Sequence, residues 1–275
     1  MHMPNIIELL KALLLGIVEG ITEWLPISST GHMILVNEFI GGEADFFGED
    51  LFLYGIQLGA ILAIVTLYFK KLNPFAPSKT DAEKRDTWQM WFKVVAACLP
   101  AAVIGLALNK FMDKFENWQV ISATLIIYGI GFIVIESLNK GRKPRVTSIS
   151  TMSYKTALLI GAFQVLSIVP GTSRSGATIL GAILLGCSRE IAAEFSFFLA
   201  IPVMFGVSAL KLVTNDYIMT SAEWIILAVS MAVAYVVSMI AVKFLTSFVK
   251  KHDFKIFGWY RIILGAAVIG FFLLK

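Results

Sequence analysis

The sequence is poor in charge, in cysteine and in strand-like alternation. Asp, Glu, Lys and Arg make up only 15% of its 275 residues, against about a quarter in soluble domains. That is too little to coat a water-facing globule of this length. Cys98 and Cys187 are the two cysteines. They form neither a disulfide framework nor metal-ligand spacing, and both read as small buried apolar residues. Apolar and polar residues nowhere alternate in the ten-residue pattern of a membrane β-barrel. The N-terminus has no basic leader region or small-residue cleavage site, and Glu8 and Lys11 interrupt its apolar run, so it is not read as a signal peptide. The formal net charge of +4 is modest and points to no nucleic-acid partner.

What is present is apolar length. The chain is 57% hydrophobic with a mean hydropathy of +0.79. Several runs approach or exceed the roughly 20 residues that cross a bilayer as a helix. The expected class is an all-α polytopic membrane protein forming a single membrane domain, 1–275. Six spans are predicted at about 51–69, 94–108, 119–138, 191–213, 224–248 and 256–274.

Two further segments are apolar but broken. Residues 5–37 hold a helix that stops near Pro26 and a second short helix opened by the caps Ser28-Ser29-Thr30. Proline removes a donor and pushes its predecessor out of helical geometry, and serine and threonine favour helix starts. Residues 156–188 repeat the pattern around Pro170-Gly171 and the tip TSRSG. Each reads as a re-entrant hairpin, because irregular backbone at membrane depth must be buried in protein or line a wet cavity.

Basic residues concentrate in 70–93, 139–155 and 249–255, including Lys70, Lys71, Lys93, Arg142, Arg145 and Lys250. The positive-inside rule places these loops in the cytoplasm. The segments 38–50, with Glu43 and Asp45, 109–118, with Asp113, Lys114 and Glu116, and 214–223 then lie outside. Six spans plus two hairpins satisfy every placement, with the first hairpin entering from outside and the second from the cytoplasm.

A shift of 145 positions superposes the halves. Gly16 meets Gly161, Glu19 meets Gln164, Ser28 meets Ser173 and Gly31 meets Gly176. Repeat 1 (about 1–138) and repeat 2 (about 156–275) each contain one hairpin and three spans. Three is odd, so the copies have inverted topology. Such repeats place their site where the discontinuous helices meet, and helix N-termini there suit an anion.

The chemistry sits at the two tips. Glu19 and Glu23 are four apart on one helix face and could hold a hard divalent cation through oxygen, or simply be interfacial acids. Ser28, Ser29 and Thr30 add hydroxyls, and His32 adds a group that titrates near neutrality. A serine run, a histidine and two acids suggest a nucleophile, a base and a metal site. At the second tip Arg174 is flanked by Thr172, Ser173, Ser175 and Gly176, a setting suited to bidentate phosphate binding. Gln164 either bonds near the site or packs. Glu194 is expected to pair with Arg174 or Arg189, Glu136 is read as structural or interfacial, and Lys211 and Lys243 are expected to snorkel to the interface.

The motifs VEGITEWLPISSTGH (Val18–His32) and PGTSRSGATI (Pro170–Ile179), with EFSFFLAIP (Glu194–Pro202), resemble the bacitracin-resistance family of undecaprenyl-diphosphate phosphatases. The likeness extends over nearly the whole chain. It implies a bacterial inner-membrane enzyme that removes the terminal phosphate of undecaprenyl diphosphate, regenerating the lipid carrier for wall polymers and countering bacitracin. It also implies Mg²⁺ or Ca²⁺ at Glu19 and Glu23, a site open to the outer face, and a homodimer. Ser29 is expected as nucleophile with His32 as its base. The rival reading has His32 activate water while Ser29 binds. A lipid-phosphate transporter would share the inverted repeat and the anion site, but would not need the acid–serine–histidine set.

Overall fold

The computed structural model describes residues 4–41, 46–112, 115 and 117–274. Glu43, Asp45, Asp113, Lys114 and Glu116 lie outside the described residues. The α-helices among the described residues are α1 (Ile6–Thr22), α2 (Ser29–Ile40), α3 (Asp50–Leu67), α4 (Phe69–Leu72), α5 (Asp81–Met112), α6 (Trp118–Leu138), α7 (Tyr154–Gln164), α8 (Arg174–Leu184), α9 (Arg189–Thr214), α10 (Ser221–Phe248) and α11 (Lys255–Leu274). Helices α3, α5, α6, α9, α10 and α11 are long and apolar enough to cross a bilayer. The protein is therefore an all-α polytopic membrane protein with six candidate spans.

Several helices start where a polar side chain satisfies free N–H groups. Asn5 and Glu8 cap α1 reciprocally, Thr220 and Glu223 do the same for α10, and Asn117 and Ser188 cap α6 and α9. This chemistry also corrects one boundary. Residues 81–93 are not loop: α5 begins at Asp81, with the Glu83 carboxylate accepting from Thr80 N at 2.7 Å. Glu, Lys and Arg are good helix formers, so charge in this stretch does not stop the helix. Lys93, read as a loop cation, is buried and donates to Ile149 O and Ser150 O at 2.9 Å each.

The centre of the molecule is α9, where Phe195, Phe197, Phe198, Leu199 and Ala200 are essentially inaccessible. It packs on α3, α8 and α5. The most extensive pairings are α6 with α11, α1 with α10, α3 with α10 and α5 with α7. Small residues make these approaches possible, as in helix packing within lipid generally. A Cβ on Gly16 would lie 2.8 Å from Ser230 O, and one on Gly161 would lie 2.1 Å from Ala97 O. Ser230 and Ser238 donate across the α1–α10 seam to Ala12 O and Gly20 O. Large apolar side chains such as Ile127, Val236, Ile240 and Ile263 face outward, as lipid contact requires.

Both broken units fold back on themselves. Near its start, α1 places Lys11 over the Phe47 ring, and Asn37 near the end of α2 donates to Phe47 O. The start of α7 carries Tyr154 beneath Lys93, and Cys187, three residues past the end of α8, forms a backbone bridge with Val146. The two units thus meet different flanking segments, Phe47 beside the first and Lys93 and Val146 beside the second. Beside the second unit, Arg145 and Val146 bond Gly186 O and Trp91 donates to Leu72 O. Cys187 is buried there, and burial pushes its thiol up to about 11. That keeps it protonated and inert.

The ion pairs differ from expectation. Glu194 pairs with Lys71, not with Arg174 or Arg189. Arg189 instead meets the buried Glu136 at 2.5 Å, and Glu136 also accepts from Phe254 N at 3.1 Å. Lys211 pairs with Asp50 at 2.5 Å rather than only snorkelling. In each case a nearer helix end supplies the partner, which sequence separation does not reveal.

The Gly161 contact yields a prediction. Gly161→Ala should lower stability by about 1–3 kcal/mol through overpacking against main chain. Gly206→Ala, where a Cβ meets nothing within 4 Å, should not. Thermal unfolding of both variants in detergent reads the difference.

Candidate active site

The two breaks meet. Glu23, the C-cap of α1, accepts from Arg174 Nη2 at 2.8 Å through Oε1 and from Ser29 Oγ at 2.6 Å through Oε2. Ser175 Oγ donates to Glu23 O at 3.2 Å. Acid, hydroxyl and arginine from the two halves therefore share one buried cluster. Arg174 is further held by Ser196 O at 2.8 Å, by Met204 Sδ at 3.8 Å and by the Trp24 ring, whose centroid lies 5.8 Å from the guanidinium carbon. Trp24 in turn stands edge-on to Phe197 at 5.6 Å.

The helices that present these groups start alike. Ser28 and Ser173, 145 positions apart, are the N-caps of α2 and α8, with φ of 74° and 72°. Positive φ is costly for a residue with a Cβ, on the order of 1–3 kcal/mol, and is typical of functional sites. Each serine side chain accepts from the N–H of the glycine three residues on, Gly31 at 3.3 Å and Gly176 at 3.1 Å. A Cβ on Gly176 would lie 3.2 Å from Ser173 Cβ, a tight contact, and 3.4 Å from Arg261 Nη1. Ser173 and Ser175 hydroxyls are 3.1 Å apart. Thr30 is exposed at the first turn of α2.

His32 does not reach Ser29. Its Nδ1 is 2.7 Å from Ser28 O and its Nε2 is 2.7 Å from Tyr260 Oη. The group that accepts the Ser29 proton is Glu23, so the expected serine–histidine pair is replaced by a serine–glutamate pair. Helical geometry explains this: a side chain three residues along the new helix turns back to its own cap carbonyl, while the acid at the end of α1 faces the hydroxyl across the break.

Arg261 is the residue that sequence reading missed. It is fully buried in α11 and donates to Pro26 O at 3.3 Å, Gly171 O at 2.9 Å and Thr172 O at 3.0 Å. It thus ties both breaks to the last helix. The signal was available, since an arginine inside an apolar span is costly and marks a site by default. Ser196, Trp24 and Tyr260 carried no comparable signal.

Several buried polar atoms near the breaks have no protein partner: Glu19 Oε1, Arg261 Nε, Trp24 Nε1 and both amide atoms of Gln164. Unpaired buried groups cost about 1–3 kcal/mol each, so they call for water or a ligand. Among the described residues no three His, Cys, Asp or Glu form a metal cage. Glu19 offers one free carboxylate oxygen, while both Glu23 oxygens are engaged. A cation here would have one free protein oxygen, on Glu19, and would take the rest of its shell from water and phosphate oxygens or displace Ser29 or Arg174 from Glu23. Beside the site, α1, α2, α10 and α11 enclose an apolar groove of about 450 Å³. Ile17, Ile21, Phe244 and Phe248 line it, and Thr22, His32 and Tyr260 border it.

The model of the family described as bacitracin resistance protein BacA matches residues 12–267. The chain belongs to this family. A protein of Enterococcus faecalis is 58% identical over 270 residues, covering 97% of this chain and 98% of the relative. One of Desulfitobacterium hafniense is 57% identical, covering 97% of each. One of Lactiplantibacillus plantarum is 56% identical, covering 98% and 99%. All three are named undecaprenyl-diphosphatase. The BacA family match spans both breaks, so the whole cluster lies within it.

The Glu23–Arg174 pair can be tested directly. Removing one partner of a buried ion pair strands the other, typically at about 3–5 kcal/mol. Arg174→Ala should therefore destabilise the fold more than the double change Glu23→Ala with Arg174→Ala, a sign that thermal unfolding of the two variants resolves.

Proposed function

We propose that this chain hydrolyses undecaprenyl diphosphate to undecaprenyl phosphate and inorganic phosphate. The observation that carries the reading is the convergence of Glu23, Ser29 and Arg174 across the two breaks, in a chain whose relatives bear that enzyme name. Those names favour the hydrolase over a lipid-phosphate transporter. The apolar groove supports a lipid substrate: it would seat the part of the prenyl chain nearest the phosphates, with His32 and Tyr260 at its polar end.

Arg174 binds oxygens of the terminal phosphate, and the N–H groups at the starts of α2 and α8 add positive potential. Thr30, Thr172, Ser173 and Ser175 supply hydroxyls, and Gln164 supplies an unpaired amide. Ser29 Oγ attacks phosphorus as its proton passes to Glu23. The P–O bond to the bridging oxygen breaks, and undecaprenyl phosphate leaves. Water then attacks the phosphoserine, its proton goes to His32, Glu23 returns a proton to Ser29, and phosphate departs. The short Ser29–Glu23 bond favours this order over direct attack by water. Glu19 and Glu23 would hold a divalent cation, which would neutralise diphosphate oxygens.

The contacts also support an inverted repeat. Exchanging the halves maps α1 on α10 to α7 on α5, α3 on α10 to α9 on α5, and α1 on α2 to α7 on α8. The broken units are then re-entrant hairpins from opposite faces. With the basic segments in the cytoplasm, the protein sits in the bacterial inner membrane and its site opens to the outer face. A homodimer follows from the family resemblance alone and is tested by solution mass in detergent.

Purified protein should release phosphate from undecaprenyl diphosphate, and a chelator should abolish this. Ser29→Ala should lower turnover by at least about 100-fold, and acid quench of the wild type should trap phosphoserine at position 29. Wild-type turnover in Ser29→Ala would instead favour His32-activated water. Glu19→Gln with Glu23→Gln should abolish cation-dependent release; retained activity would refute the metal role.

A further inference from the structure

The His32 ring is fixed by partners whose chemistry sets its tautomer. Ser28 O is a carbonyl and can only accept, so Nδ1 at 2.7 Å carries the proton. In the neutral ring Nε2 is then a bare acceptor. Its partner at 2.7 Å is the Tyr260 hydroxyl, which must donate. The rings lie nearly parallel, with an interplanar angle of 6° and centroids 5.6 Å apart.

Two features hold this pair in register. Ser28 keeps its carbonyl on His32 through a positive-φ backbone, and the same carbonyl accepts the His32 main-chain N–H at 3.3 Å. Tyr260 immediately precedes Arg261, whose three bonds to Pro26, Gly171 and Thr172 lock α11 against both breaks. Tyr260 nevertheless remains 43% exposed, and both rings border the apolar groove.

With this bond in place, the Nε2 lone pair is reached through the tyrosine. We propose that Tyr260 is a catalytic proton relay between the attacking water and His32, a role that rests on the reading of His32 as the base for that water. The water gives its proton to Tyr260 Oη as the phenolic proton passes to Nε2. The phenol is regenerated, the imidazolium forms, and the hydroxide oxygen bonds to phosphorus. The imidazolium Nε2–H then donates back to Tyr260 Oη, so the hydroxyl serves both protonation states. A phenylalanine serves neither.

Tyr260→Phe keeps the ring and its packing. In the full-length protein it should lower kcat on undecaprenyl diphosphate by at least about tenfold, with KM within twofold. The proton inventory in mixed H₂O/D₂O should change from bowed, with two protons in flight, to linear. His32→Ala should be at least as slow, and the double variant no slower than His32→Ala alone. A wild-type kcat in Tyr260→Phe beside a crippled His32→Ala overturns the relay and leaves the hydrolase reading intact. Wild-type turnover in His32→Ala overturns the role of His32 itself, and the relay with it. An independent check uses ¹⁵N-histidine spectra of the wild-type protein. They should show His32 with Nδ1 protonated and Nε2 bare; the opposite tautomer refutes the proposal whether or not the variants fold.

Discussion

One ion pair organises this molecule. Glu23 ends the first helix of the first broken unit and Arg174 begins the second helix of the second, and their bond joins the two halves of the chain. A charge pair at such depth is costly to form and more costly to break, so it specifies a single arrangement of the two tips. The same carboxylate also accepts from Ser29. Structural pairing and the orientation of a reactive hydroxyl are thus functions of one side chain.

Around that pair the backbone is held where it would not rest alone. Ser28 and Ser173 both occupy positive φ, and Arg261 bonds three carbonyls that the breaks leave free. Irregular backbone inside an apolar bundle needs such donors. Arg261 meets the need from α11, the same helix that sets the Tyr260 hydroxyl against His32.

The architecture was largely legible because apolar length and the placement of Lys and Arg are direct consequences of a bilayer. All six spans, both breaks and the cap at Ser28 follow from those patterns, and the charged start of α5 was misread only because charge was taken as loop. The residues at the tips were legible from their chemistry. Their pairings were not: Ser29 to Glu23 rather than His32, and Glu194 to Lys71 rather than an arginine, depend on which side chain lies across a gap. Arg261 and Tyr260 come from a helix more than 80 residues beyond the second tip, and only the tertiary fold shows that they reach it.

The exchange of partners between halves has a consequence for biogenesis. The first short helix leans on α10, and the second leans on α5. Glu23 is made 151 residues before Arg174, so it leaves the ribosome with no counter-ion yet synthesised. The first broken unit therefore has no finished seat in the membrane when it emerges. The completed cluster is then a late event in assembly, reached only after nearly the whole polypeptide has entered the bilayer.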